Sequence, residues 1–447
     1  MVMAMTLFFA APMTVYAATD WTINPGGGAD YTSLDALLAD VASSTITLNT
    51  GDSITLRGGP VTGSTQFLID GISITLNLGG NNLTINTTGA GDDSAINIYS
   101  GGSLTVEGTG VFTATANNTS GLYISDGAFT ATGGAEVDIT GTSGIYINNN
   151  GTVSLGSLAK INATGTGTSL YGVYTGANCT ASVTSASAGG SNGIGVRADG
   201  SGSVIAVEND VISTGSNGLG VNATSGGQVF VYGSIEANTY GAIPDNGSQI
   251  TVDGTITAPS YISVGGVTKT ITDFAPVIPA SRPTYIEYNG GTPLSYVWVK
   301  GLASTTNAQH FGTWTGTGTA NGKSNEDETY LEALALNGVA LTADTDFTTA
   351  PGSTLFTLTP AFLSSLANGS YTFRAFFYTG TAPVIYTDLT LTVLRSGGTT
   401  GGSGSGANGV PQTNDINNTL GWTVVLAFVI LGIFGLMAWR RRQGAQE

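Results

Sequence analysis

The sequence predicts an all-β protein: a parallel β-helix solenoid followed by a β-sandwich, then a flexible linker and one transmembrane helix. Three observations lead there. Short apolar alternations separated by Gly, Asn, Asp and Ser recur with a period in the low twenties, the mark of stacked coils that cannot bury a core singly. After a Pro-rich break at 276–283 the repeat stops, and longer alternating strands rich in aromatics take over. Near the C-terminal end an uncharged run of 20 residues, 420–439, is followed at once by Arg440, Arg441 and Arg442, which reads as a membrane span with a basic stop.

Composition narrows the function classes. Charged residues make up 9% and Gly numbers 67 in 447 residues, with only 13 Pro; low charge argues against disorder, and scarce Pro with no Gly-X-Y period excludes collagen. A net charge of −17 opposes binding to nucleic acid or to anionic lipid. The single Cys179 allows no internal disulfide, and the single His310 allows no His-based metal cluster. No cofactor and no metal are expected.

Residues 1–17 read as a signal peptide. The run TLFFAAPMTVYA at 6–17 is apolar and ends in Val15-Tyr16-Ala17, with small residues where a signal peptidase reads, so cleavage is expected after Ala17 or Ala18. The basic n-region usual before such a run is missing.

Residues 18–274 form the predicted β-helix. Its first apolar set, Leu34, Leu37, Leu38 and Val41, falls at helical spacing with Thr32 or Ser33 placed to cap, and Thr45-Ile46-Thr47-Leu48 then reads as the first strand. The repeated phrase appears as Gly121-Leu122-Tyr123-Ile124, Gly144-Ile145-Tyr146-Ile147, Gly172-Val173-Tyr174, Gly193-Ile194-Gly195-Val196, Gly218-Leu219-Gly220-Val221 and Gly241-Ala242-Ile243, spaced by 23, 28, 21, 25 and 23 residues. A second alternation follows each phrase, as at Ser203-Val204-Ile205-Ala206-Val207, and a weaker third ends the unit, as at Lys160-Ile161-Asn162. Three short strands per period imply three sheets, with apolar residues inward and small polar ones outward. A short amphipathic helix ahead of the first coil resembles the start of pectate-lyase-like right-handed β-helix proteins. The resemblance covers roughly 21–274 and implies that the helix covers the open end of the core.

Residues 275–395 form the predicted sandwich module, with strands at Tyr285-Ile286-Glu287-Tyr288, Tyr296-Val297-Trp298-Val299, Thr354–Leu358, Tyr371–Phe377 and Leu389–Val393. Over about 329–393 the chain is similar to the immunoglobulin-like X-two module of bacterial cellulases and scaffoldins. The matching residues include Leu336-Asn337-Gly338-Val339, Asp346-Phe347-Thr348 and the phrase Ala361-Phe362-Leu363-Ser364-Ser365-Leu366-Ala367-Asn368-Gly369-Ser370-Tyr371. That resemblance implies a carbohydrate-binding or spacer role.

Residues 396–419 are a Gly/Ser-rich linker ending in Val410-Pro411-Gln412-Thr413-Asn414. The span at 420–439 would cover ~30 Å as a helix, with Trp422 and Trp439 near its ends, and 440–447 is the basic tail, placed in the cytoplasm. Pentapeptide, span and tail together resemble the cell-wall sorting signal of Gram-positive surface proteins. The resemblance implies a sortase attack on the Thr413 carbonyl, cleavage between Thr413 and Asn414, and transfer to peptidoglycan. The common pattern has Leu first and Gly last; Val410 and Asn414 depart from it, although a second sortase class prefers Asn-Pro-Gln-Thr-Asn. An uncleaved single-span membrane protein is the alternative.

Candidate sites are few. Trp298 and Trp314, aided by Tyr296 and Tyr288, could stack on the apolar side of a sugar ring; Trp298, within Tyr-Val-Trp-Val, reads first as the core tryptophan of the sandwich, whereas Trp314 lies in a Gly/Thr loop where burial is less expected. Paired carboxylates occur at Asp92-Asp93, at Glu136 with Asp138 and at Glu208 with Asp210. None has a neighbouring base, so structural or solubilising roles are expected, with a weak Ca²⁺ site at Asp92-Asp93 as the alternative. His310 reads as a polar loop residue and Cys179 as a buried inert thiol. The expected function is a bacterial surface-anchored adhesin-type protein, not an enzyme, that displays its β-helix to glycan, wall or host surface. Two alternatives stand: a surface polysaccharide lyase or hydrolase, and a non-binding spacer.

Overall fold

The computed structural model describes residues 19–395 except 88–93, 157, 169, 277–281, 306–307, 352 and 381–383. The signal peptide, the linker with its motif at 410–414, the span at 420–439, the basic tail and Asp92-Asp93 lie outside the described residues. Among the described residues no helix is long and apolar enough to cross a membrane.

The chain is all-β, and its larger part is a parallel solenoid of about 8 turns with three faces. On the first face, Phe67–Asp70, the start of Ile96–Glu107 and of Leu122–Ala131, Ile145–Asn148, Tyr171–Thr175, Ile194–Asp199, Leu219–Thr224, Tyr240–Pro244 and Ser260–Val264 stack in parallel. Their inward residues align coil on coil: Phe67, Ile96, Leu122, Ile145, Val173, Val196, Val221, Ala242 and Ile262 are all at 0% exposure. The second face repeats this with Leu104, Phe129, Val153, Ala181, Ile205, Val229 and Ile250 in register. The third runs from Val61–Gly63 to Ile256–Thr257. Period-two alternation thus places every second side chain in one continuous core.

Two local devices turn the corners. Non-Gly residues in the left-handed region fall on Asn149, Asn178 and Asn246 among others, where a short polar side chain is tolerated. At the corner entering the first face, Gly144, Gly172, Gly195, Gly220 and Gly241 stand one above another. A Cβ on Gly220 would lie 2.3 Å from Ile235 Cγ2 and 2.5 Å from the Gly241 carbonyl oxygen. The aligned glycines are therefore Gly195 and Gly220, not Gly193 and Gly218 at the head of the repeated phrase.

At the N-terminal end the helix Leu34–Ala42 is capped by Ser33, whose hydroxyl accepts from Ala36 N at 3.1 Å. Leu34 and Leu37, fully buried, join the same core as Ile54, Leu56 and Val61. Asp35 fastens the helix to the first coil by accepting from Ser64 N and Thr65 N at 2.9 Å. Its burial works against its ionisation, but those bonds outweigh it and hold the carboxyl below its ordinary range. The segment 45–48 is not a strand; the first coil instead uses Ser53–Leu56, paired with Asp20–Ile23. Asp52, at 0% exposure, locks that pairing by accepting from Thr19 N at 2.8 Å and Asn49 N at 2.9 Å.

The C-terminal boundary differs from the sequence expectation. The hairpin Tyr285–Gly290 with Ser295–Lys300 does not belong to a sandwich. Ser295–Lys300 runs parallel to Gln249–Val252, which puts Val297 over Ile250 and extends the second face of the solenoid. The alternation of Tyr-Val-Trp-Val suits either setting, so sequence periodicity could not choose between them.

After Gly301 the strand Leu302–Thr305 enters a second body of two sheets. One sheet joins Leu302–Thr305, Val384–Val393, Gly369–Phe377, Leu331–Leu336 and Val339–Ala340, with Gly312–Trp314 also on Val384–Val393. The other joins Ala308–Gln309, Ala320–Ser324, Leu355–Leu358 and Phe347–Ala350. Phe311, Phe356, Leu363, Phe373, Phe377 and Leu389 fill the space between them. The phrase at 361–371 forms most of the helix Pro360–Ser365, capped by Thr359, and the start of the strand Gly369–Phe377. Leu302, Ala335, Phe376 and Val384 belong to the apolar core of the solenoid, so the two bodies share packing at their junction.

Candidate functional site

The strands of the first face present a second column, on the outside. Coil by coil it reads Leu68, Asn97, Tyr123, Tyr146, Tyr174, Arg197, Asn222 and Ile243, all in register. Because Leu122, Ile145 and Val173 must point inward, the residues that follow them must point out. The three tyrosines therefore stack. Tyr123 and Tyr146 lie with ring centroids 5.8 Å apart and planes within 5°, and Tyr146 and Tyr174 4.4 Å apart and within 14°. Tyr99 continues the row at 5.7 Å from Tyr123, and Tyr171 packs 5.0 Å from Tyr174, both tilted. Beside them, Tyr171, Ile194, Leu219 and Tyr240 form a further column in register.

The row is electrically quiet. Arg197 lies 5.8 Å from the Tyr171 ring centroid and donates through Nη2 to Asp199 Oδ2 at 3.0 Å; Asp199 Oδ1 accepts from Thr224 Oγ1 at 2.7 Å. Burial, and then the neighbouring phenol of Tyr146, push the Tyr174 hydroxyl up to about 12, so it stays neutral and can both donate and accept. Tyr99, Tyr123, Tyr146, Tyr171 and Tyr174 are all half-buried, each offering part of its ring to solvent. Tyr123, Tyr146 and Tyr174 stand at the same place in the repeated Gly-apolar-Tyr phrase. That shared phase was the available signal for the row, but in the sequence it marked only the repeat.

The aromatic residues singled out from the sequence are placed differently. Trp314 is 4% exposed within the two-sheet body, with Nε1 donating to the Gly318 carbonyl at 3.0 Å; it fills a core and offers no ring to a ligand. Tyr288 is fully buried and donates to the Ile271 carbonyl at 2.8 Å. Tyr296 and Trp298 do come together, stacked at 5.1 Å and 4° on the solenoid's second face. Trp298 is neither a sandwich core residue nor an open platform. It is 8% exposed, donates through Nε1 to Glu287 Oε2 at 3.0 Å, and has the Arg282 guanidinium 4.3 Å above its ring. Arg282 in turn donates to Thr251 Oγ1 at 2.6 Å, which anchors it across the indole.

Three of the paired carboxylates, Glu136, Asp138 and Asp210, serve the ladders between coils. Glu136 lies 3.8 Å from Lys160, Asp138 accepts from Asn162 Nδ2 at 2.9 Å, and Asp210 accepts from Ser234 N at 2.7 Å. In each case the partner sits on the next coil. Among the described residues no group of three or more His, Cys, Asp or Glu is placed to hold a metal. His310 Nδ1 accepts from Thr390 N at 3.2 Å. Cys179 is at 0% exposure in the solenoid core, and burial pushes its thiol up.

No family model matches this chain, and neither a curated protein nor a solved structure matches it.

Proposed function

We propose that the protein is a non-catalytic binding scaffold displayed on a bacterial surface, and that the outer tyrosine row of the solenoid's first face is what it binds with. The observation that supports this is the alignment of Tyr123, Tyr146 and Tyr174 on consecutive coils with Tyr99 and Tyr171 beside them. Tyrosine, with tryptophan and arginine, is enriched at the centres of binding surfaces, and a tyrosine combines apolar area with a polar tip at low entropic cost. A parallel solenoid repeats such a residue along its axis and so suits an extended partner. In this reading the coil is right-handed, the sense that parallel crossovers favour, and the two-sheet body is an immunoglobulin-like X-two-type module that carries the solenoid on the linker.

The test is co-sedimentation of the full chain with cell walls and insoluble polysaccharides. Wild-type protein is expected in the pellet. The triple variant Tyr123→Ala/Tyr146→Ala/Tyr174→Ala should lose about tenfold or more in affinity with an unchanged far-ultraviolet circular dichroism spectrum. Equal binding by both proteins would remove the row from the function, and release of reducing ends or unsaturated uronides would replace binding with turnover.

Anchoring has its own test. Sortase recognition at Val410, Pro411, Gln412, Thr413 and Asn414 with transfer to peptidoglycan predicts that muralytic digestion, not detergent, frees the protein from cells. Detergent extraction of a chain still carrying Arg440–Arg442 would leave a plain membrane anchor.

A further inference from the structure

The tyrosine row also constrains the chemistry of its partner. We infer that it takes a neutral, linear glycan laid along the solenoid axis, about one sugar ring per coil; this rests on reading the row as a binding face.

Spacing comes first. The row crosses the strands, so its repeat is the distance between neighbouring parallel strands, ~4.8 Å, and the ring centroids observe it at 5.8 and 4.4 Å. A partner that meets every ring must repeat at a similar distance. An extended peptide presents same-side side chains only every ~6.6 Å, so it slips out of step by roughly 2 Å at each coil. An extended pyranose chain advances by about one ring length per residue and stays in step. The rings of the row stack on one another, so each coil offers a ring edge and a phenol; a sugar residue brings C–H groups for that edge and hydroxyls for the phenol, which can donate or accept.

Charge narrows the class further. The one cation in the row, Arg197, is already held by Asp199 at 3.0 Å, so the row offers no net positive charge to a polyanion. The chain as a whole carries −17, which repels acidic polysaccharides, nucleic acids and a second copy of itself. An uncharged polymer pays no such penalty.

Length follows from the coils. Tyr99, Tyr123, Tyr146, Tyr174 and Arg197 lie on consecutive coils of the first face. Affinity should therefore grow with oligomer length until those coils are covered and then level off.

The experiment is calorimetric titration of the full chain with cello-oligosaccharides of increasing length from the disaccharide, and with polygalacturonate in parallel. Affinity is expected to rise to about five sugars and plateau, with Tyr146→Ala about tenfold weaker at the plateau and Tyr146→Phe weakened less, because it keeps the stack. Polygalacturonate should not bind. A thermal melt of each variant shows whether the fold is kept, and Tyr146→Phe serves if Tyr146→Ala does not fold. Affinity that is flat beyond the disaccharide overturns the axial placement. Tyr146-dependent binding of polygalacturonate, or of a protein-coated surface, in place of cello-oligosaccharides overturns the neutral-glycan class and leaves the row as a binding face. Binding that no tyrosine substitution alters, whatever the partner, overturns both.

Discussion

Replacing Phe129 by Ala is expected to cost about 3–5 kcal/mol of unfolding free energy, the usual loss for deleting a buried phenyl ring. Phe129 is fully buried and sits in register between Leu104 of the coil before and Val153 of the coil after. Its neighbours cannot close the gap. Each is held by a parallel ladder to coils on both sides, so a collapse at one coil would break hydrogen bonds at two others. Because each coil stabilises only its neighbours, the cavity weakens the stack in its middle. Guanidinium unfolding followed by circular dichroism measures the effect. A loss under ~1 kcal/mol would mean that the coils are loosely packed, contrary to the large-to-small expectation. Gly220→Val tests the same stack from the opposite direction, since its first added carbon meets Ile235 Cγ2 at 2.3 Å.

Alkaline pH is expected to unfold the C-terminal end of the solenoid. Burial pushes the Tyr261 hydroxyl up to about 12 and pushes Tyr288 up further. The two rings meet edge to face at 5.8 Å beneath the hairpin that closes the second face. Both groups are neutral in the fold and ionise more readily once exposed, with an unfolded pKa near ~10. Their contribution is therefore fully present below pH ~10 and is lost as pH rises through the folded values. A shift of two units on Tyr261 alone corresponds to roughly 3 kcal/mol. The unfolding midpoint measured from pH 8 to 12 should hold steady and then fall, with tyrosinate absorbance rising in step with the loss of structure. Tyr288→Phe should delay the fall, although it gives up the bond to the Ile271 carbonyl. A midpoint that ignores pH across this window would show both phenols already open to solvent.

Much of the fold could be read without coordinates because its causes are local. Leu122 and Ile124 alternate with Tyr123 and Ser125, and strand geometry alone sends them to opposite sides. Asn178 and Asn246 sit where a left-handed turn is needed, a preference written in the residue itself. The helix at 34–42 announced its buried stripe and its cap through spacing.

Other features depend on which residues meet across the chain. Tyr123, Tyr146 and Tyr174 share a phase in the repeated phrase, but coil lengths vary, so only the register shows that their rings stack on one face or that the aligned corner residue is Gly220 and not Gly218. The alternation at 295–300 fits any sheet; only the vacant edge beyond Gln249–Val252 recruits it to the solenoid. Trp314 sits in a run of Gly and Thr that looks exposed, yet its strand pairs with Val384–Val393 and turns the ring into a core. Pairs such as Glu136 with Asp138 resemble a catalytic duo on paper and become rungs of a ladder once Lys160 and Asn162 stand beside them. Composition and periodicity were sufficient for the class of architecture, since alternation and turn preference act within a few residues. Register, loop closure and burial act across tens of residues, and those are what arranged the tyrosines into a row, covered Trp298 with Arg282, and hid Trp314.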